Sequence, residues 1–333
     1  MNIAVIGFGF MGTTHAMSIL NNPALRLAAV VDKNPENIRK NLDNQMGNFS
    51  IEKPDADILS SVGIYTDVAT CLENEKIDAC VIAVHTDLHY EITRQVLNAG
   101  VHAFLEKPFC IEVTEGERLI ALAREKNLLL MIGQVVRFMP AYVRLKNWID
   151  SGEYGALKFL SLSRFSGTPA WGQWKEKQQD FGISGGALFD MVLHDIDFAR
   201  WVCGEPDTVV SQNLPGKLSN HDYVSALWKY QQKDLHVKIE GGNIFHTAFP
   251  FQASFAARFK HASILYSPMD PGNIIITTDT QTHLIPAGDA GEGFQAEIDY
   301  FAHCLATQSP PLKCTPESAL ESIKTCHRHT IKA

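Results

Sequence analysis

The chain has 333 residues, 45% of them hydrophobic and 20% charged, and a formal net charge of −8. That length suits two domains, and that composition buries large cores and excludes an intrinsically disordered chain. The acidic balance and the lack of a basic cluster argue against a nucleic-acid or anionic-membrane partner, and no apolar run reaches the length of a membrane span.

Met1 opens directly into an apolar strand, Asn2–Ile6, with no cationic stretch before a cleavable apolar one, so no leader peptide is expected and the cytoplasm is the expected location. The strand runs into Gly7-Phe8-Gly9-Phe10-Met11-Gly12, and a helix-like segment follows from Met11 to Leu20. A second strand, Leu25–Val31, ends in Asp32. Each glycine has a physical task in a dinucleotide site. Gly7 allows the tight turn, Gly9 lets a pyrophosphate approach the backbone, and Gly12 lets helix and strand pack closely. The free N–H groups at the helix start face the phosphates. Asp32 at the strand tip accepts from the adenosine ribose hydroxyls and repels a 2′-phosphate, which favours NAD, while the neighbouring Lys33 leaves NADP open.

Ile77–Val84 is a near-continuous apolar run, the pattern of a strand covered on both faces. A helix is predicted over Asp87–Ala99, a strand over Val101–Leu105, a helix over Thr114–Lys126 and a further strand over Leu128–Gly133. This alternation predicts a doubly wound parallel sheet in a first domain, residues 1–132. Glu106-Lys107-Pro108 follows a strand of that sheet, at the edge where such folds bind ligands. Lys107 there can hold a substrate hydroxyl or a developing alkoxide, or it can be a solvated loop lysine. Pro108 fixes its own φ and permits a cis bond.

Residues 133–333 form the second domain in this reading. Strand-like runs at 157–165, Val224–Tyr230, Val237–Glu240, Phe251–Phe259, Ala262–Tyr266 and Asn273–Thr277 suggest an antiparallel sheet. Helices are expected near Tyr142–Ser151 and Gly186–Val202, then over Phe294–Thr307 and Pro316–Thr330, the last with Thr315 as its cap. The seven cysteines show no C-x-x-C spacing and read as reduced, mostly buried thiols. The 13 histidines include no H-E-x-x-H, His327 and His329 read as a solvated helix end, and no metal site is expected. Asp190 and His194 lie four apart, on one face if the segment is helical. A carboxylate there can fix the tautomer of a general-base imidazole, or the pair can simply decorate a helix. Arg137 and Arg164 are candidates for a substrate carboxylate or a cofactor phosphate, against structural ion pairs. Trp171 and Trp174 are candidates for stacking on a sugar ring, against core or interface packing.

Taken in order, Gly7 through His15, Ala83 to His89, Glu106-Lys107-Pro108, Arg137-Phe138-Met139-Pro140 and Gly185-Gly186 through His194 and Asp197 resemble the Gfo/Idh/MocA oxidoreductases, over nearly the whole chain. That family includes inositol dehydrogenases and glucose–fructose oxidoreductase. The resemblance implies a Rossmann domain followed by an α+β domain with a large, open antiparallel sheet. It implies dimers or tetramers through that sheet, and C-terminal helices able to pack back on the first domain. By resemblance Lys107 contacts substrate and nicotinamide ribose, Asp190 acts as relay, and His194 accepts or donates the proton. The nicotinamide is expected over Ala83, Val84, His85 and His89 and over Glu106 and Lys107.

The chain departs from the family pattern at His85-Thr86, where Pro-Asn is common, at Ser184, where a third glycine is common, and at Val192, where glycine is common. The activity implied is NAD(P)-dependent hydride transfer to or from a secondary alcohol of a sugar, polyol or related carbohydrate. Two other readings share the architecture: a glycosidase that transiently oxidises its sugar with bound NAD, and a nucleotide-sensing regulator, which would not need Lys107, Asp190 and His194 together.

Overall fold

A computed structural model describes residues 1–36, 38, 61–169 and 185–331. The chain divides into two compact units, Met1–Val135 with Phe294–Glu321, and Val136–Gly293 with the chain from Ser322 onward. In the first unit β1 (Asn2–Ile6) leads to α1 (Phe10–Leu20) and β2 (Arg26–Val31), then β3 (Gly63–Tyr65), α2 (Val68–Asn74), β4 (Ala79–Ile82), α3 (His89–Asn98), β5 (His102–Glu106), α4 (Val113–Glu125) and β6 (Leu130–Gly133). The six strands form one parallel sheet in the order β3-β2-β1-β4-β5-β6. That order reverses direction between β1 and β4, and ligands bind doubly wound sheets in the crevice beyond such a reversal. The central strands are buried on both faces, as their unbroken apolar runs require. The sheet strand Ala79–Ile82 is shorter than the run predicted at Ile77–Val84, with two residues of that run outside the strand at each end. The sequence reading passed over β3 and α2. β3 is three residues long, too short to show a period, and α2 opens on Asp67, whose carboxylate accepts the Thr70 N–H at 2.8 Å.

The second unit contains α5 (Pro140–Ser151), β7 (Leu157–Gly167), a π-helical turn at Leu188–Val192, α6 (Leu193–Cys203), β8 (Thr208–Leu214), β9 (Tyr223–Lys229), β10 (His236–Phe245), β11 (Gln252–Phe259), β12 (Ser263–Ser267), β13 (Asp270–Thr277) and β14 (Thr282–Pro286). Its strands form an eight-stranded sheet, β14-β13-β12-β11-β7-β10-β9-β8. The sheet is antiparallel except where β10 pairs with β7 in parallel, a departure from the purely antiparallel expectation. Parallel neighbours need a long crossover, and α6, β8 and β9 supply it. The chain closes with α7 (Glu292–Thr307) and α8 (Pro316–Arg328). All seven cysteines are buried and free. His329 is not at a solvated helix end: it is 1% exposed, and it accepts the Trp228 indole N–H at 3.0 Å. Among the described residues no helix is long and apolar enough to cross a membrane.

Candidate active site

The glycine loop has the geometry that its spacing predicts. Gly7 has φ of +86°, and a Cβ there would stand 2.6 Å from the Ala83 carbonyl oxygen, so only glycine fits where β1 and β4 diverge. A Cβ at Gly12 would overlap the Gly7 carbonyl oxygen, which sets how closely α1 packs on β1. At Gly9, by contrast, a Cβ would meet nothing within 4 Å among the described residues, so the backbone is open to an approaching group. Thr13 N–H donates to the Gly9 carbonyl at 3.0 Å and closes the first turn of α1. The preceding N–H groups, of Phe10, Met11 and Gly12, have no acceptor within the helix. The first turn carries no acidic side chain, which leaves the positive end of the helix dipole to an anion. Asp32 is half-buried at the end of β2, where its Oδ2 accepts the Phe8 N–H at 2.8 Å and its Oδ1 accepts the Asn34 N–H at 2.9 Å. The carboxylate therefore braces the loop on which a ribose and a pyrophosphate would rest. Lys33 is exposed beside it. Phe8 is fully buried, so it offers that site backbone only. Open backbone, unclaimed helix N–H groups and an acid at the strand tip together fit a dinucleotide.

The loops after β4 and β5 meet this site in the same unit. His85 precedes a 3-10 turn, Thr86–Leu88, that leads into α3. His89, expected beside the nicotinamide, is buried, with Nδ1 2.7 Å from the Pro108 carbonyl oxygen and Nε2 3.1 Å from the Val84 carbonyl oxygen. It ties the two loops together from behind. Burial holds its pKa below the usual histidine value, although both carbonyl contacts oppose that. Glu106, expected in the same place, is also turned inward. It is 5% exposed, Oε1 lies 2.5 Å from His15 Nε2, and Oε2 accepts the Lys107 N–H at 3.0 Å. Lys107 itself is half-buried, and its bond to Pro108 is cis. The sequence reading gave His15 no role of its own. The residues buried with it on α1, Thr13, Thr14 and Ser18 among them, are partly polar, so the sequence pattern carries no clear signal for it.

In the second unit, Gly186 has φ of +67°, and a Cβ there would overlap the Ser219 hydroxyl. The π-helical turn that follows carries Asp190, and α6 carries His194 in its first turn. Such turns recur at functional sites, and residues four apart share a face across the junction. Val192 is fully buried, and its Cγ2 packs 3.1 Å from where a Gly241 Cβ would stand, so β10 supplies the space that a glycine at 192 would otherwise leave.

Arg137 and Arg164 are not offered to a ligand. Arg137 donates to both oxygens of Asp197, at 2.7 and 2.6 Å, and Arg164 to both oxygens of Asp195, at 2.9 and 3.0 Å. All four side chains are buried, and Ser322 donates to Asp197 at 2.7 Å. A guanidinium spent in a bidentate pair inside the core cannot capture a solvent-borne carboxylate. These pairs flank His194 in sequence and fix α6. Trp171 and Trp174 lie outside the described residues.

Residues 1–134 match the model of the GFO_IDH_MocA oxidoreductase family, NAD-binding Rossmann fold, and residues 142–249 match that of the GFO/IDH/MocA C-terminal domain. The NAD(+)-dependent scyllo-inositol 2-dehydrogenase of Bacillus subtilis is 24% identical over 325 residues, 93% of this chain and 87% of that protein. The myo-inositol 2-dehydrogenase of Thermotoga maritima is 27% identical over 205 residues, 62% of this chain and 55% of that protein. Among solved structures, levoglucosan dehydrogenase in complex with NADH superimposes with a TM-score of 0.82 at 18% identity, covering 98% of this chain and 95% of that one.

Proposed function

Because the chain belongs to the Gfo/Idh/MocA oxidoreductase family, we propose that it moves a hydride between NAD and a secondary alcohol or ketone of an inositol, sugar or related carbohydrate. The observation that carries this reading is the sheet's reversal point, where the open Gly9 backbone and the unclaimed N–H groups of α1 share one unit with Lys107 at the end of β5. NAD, when bound, supplies the hydride acceptor or donor. The N–H groups of Phe10, Met11 and Gly12 hold its pyrophosphate, Asp32 its adenosine ribose, and Ala83, Val84 and His85 its nicotinamide end.

The chain's own residues handle the proton. The Lys107 ammonium orients and polarises the reacting oxygen. His194 takes the hydroxyl proton in oxidation and returns it in reduction. Asp190, four residues earlier, steadies the charged imidazole and passes the proton outward. Asp32 disfavours a 2′-phosphate, so NAD is preferred over NADP.

The test is cofactor reduction, read by absorbance, across inositols, aldoses and sugar acids. His194→Ala is expected to lower turnover by about 10²-fold or more while NADH affinity stays within about twofold. Unchanged turnover overturns the assignment of His194. Leu227, Leu265 and Leu284, at 49%, 40% and 61% exposure, are exposed leucines on strands of the second sheet and support a homodimer or homotetramer through it. The free, buried cysteines support a cytoplasmic location.

A further inference from the structure

The first unit holds a second cluster of ionisable groups, behind the Lys107 amide. His15 from α1, Glu106 from β5 and Glu297 from α7 bring one ligating atom each within 4.8 Å of one another. His15 and Glu297 are fully buried. The cluster is asymmetric. Glu106 is engaged on both oxygens, by His15 at 2.5 Å and by the Lys107 N–H at 3.0 Å. Neither oxygen of Glu297 has a hydrogen-bond partner among the described residues, and neither does His15 Nδ1. Among the described residues, Lys107 and His89 are further charged or titratable neighbours of Glu106.

Two carboxylates this close in a dry interior cannot both stay ionised, because each lacks water and repels the other. Glu106 has the His15 imidazole and the Lys107 N–H as hydrogen-bond partners. Nothing comparable favours a charge on Glu297, and both burial and the nearby Glu106 push its carboxyl well above the usual range.

We propose that Glu297 is a positioning residue that holds a proton at neutral pH, so that Glu106 beside it keeps both of its contacts and fixes the Lys107 main chain. Neutral Glu297 keeps the Glu-Lys-Pro segment in place from a helix nearly 200 residues further along. The proposal concerns the folded protein alone and does not depend on the identity of the substrate.

The experiment is the unfolding midpoint of the full chain between about pH 5 and about pH 9, for wild type and for Glu297→Gln. The folded-state pKa of Glu297 is raised, so the stability it brings is full below its unfolded value and is lost as pH rises through the folded one. Glutamine has no such loss, so the midpoint of the variant is expected to rise relative to wild type as pH increases. Wild type is also expected to show a carboxylic-acid carbonyl band in its infrared spectrum at neutral pH that the variant lacks.

Hydrogen exchange at the Lys107 amide is expected to match wild type in Glu297→Gln and to quicken by about tenfold in Glu106→Gln. Glu297→Leu, also neutral, replaces Glu297→Gln if the latter does not fold. Parallel pH curves, no such band in wild type, or a Lys107 amide exposed as much by Glu297→Gln as by Glu106→Gln would each overturn the proposal. So would one equivalent of divalent metal retained by wild type and lost in the variant, since the cluster would then be a cation site.

Discussion

Replacing Arg164 by Met tests whether the helix that carries His194 is held by buried charge. Arg164 and Asp195 are 4% and 0% exposed at the side chain and meet through two hydrogen bonds of 2.9 and 3.0 Å. Burial lowers the Arg164 pKa, but the Asp195 carboxylate beside it more than offsets this and raises it overall. Methionine fills much of the volume and removes the partner, stranding a carboxylate in the core. Breaking a buried pair in this way costs about 3–5 kcal/mol, whereas replacing both members with apolar groups is often neutral. At roughly 2–4 °C of midpoint per kcal/mol for a unit of this size, Arg164→Met should melt about 6–20 °C lower. Arg164→Met/Asp195→Leu should recover most of that loss.

Thermal unfolding by circular dichroism, with urea titration alongside, reads the effect. NADH affinity, measured by fluorescence, should be unchanged, because the glycine loop belongs to the other unit. A single variant within about 1 kcal/mol of wild type, or a double variant no better than the single, would refute the argument. A raised KM with no loss of stability would instead return Arg164 to the role of substrate clamp.

Gly9→Ala should fold normally and bind NADH more weakly, since its methyl group meets open space on the protein side, while Gly12→Ala should lose midpoint as well, since its methyl group overlaps the Gly7 carbonyl. Equal stability of the two variants would refute that contrast. Burial holds His329 down to about 4 against an ordinary value of 6.5. A depressed folded-state value means that the stability is full above the unfolded pKa and is lost as pH falls, by about 3 kcal/mol in all. His329→Gln should flatten the acid limb of the stability curve between those two values, and identical slopes would contradict the assignment.

The glycine loop was legible because everything it needs is local: a strand, a turn, a helix and an acid within the first 32 residues. The buried polar contacts were not, for the opposite reason. His15 and Glu106 are 91 residues apart, Arg137 and Asp197 are 60 apart, and Trp228 and His329 are 101 apart. Hydrophobic period reports which side of an element faces the core, but not which polar group a buried polar side chain will meet there. His329 therefore read as a solvated helix end, and the two arginines as ligand clamps with structural pairing as the alternative.

The Glu-Lys-Pro motif shows the consequence most sharply. Read linearly, Glu106 and Lys107 both border a nucleotide. In the fold, Glu106 turns inward to the His15 imidazole of α1, beside a second carboxyl group from α7, and His89 holds the Pro108 carbonyl. Glu106 and Pro108 are buried while Lys107 stays half-exposed. One side chain of the motif stays partly open to solvent, and the other two fix where it stands.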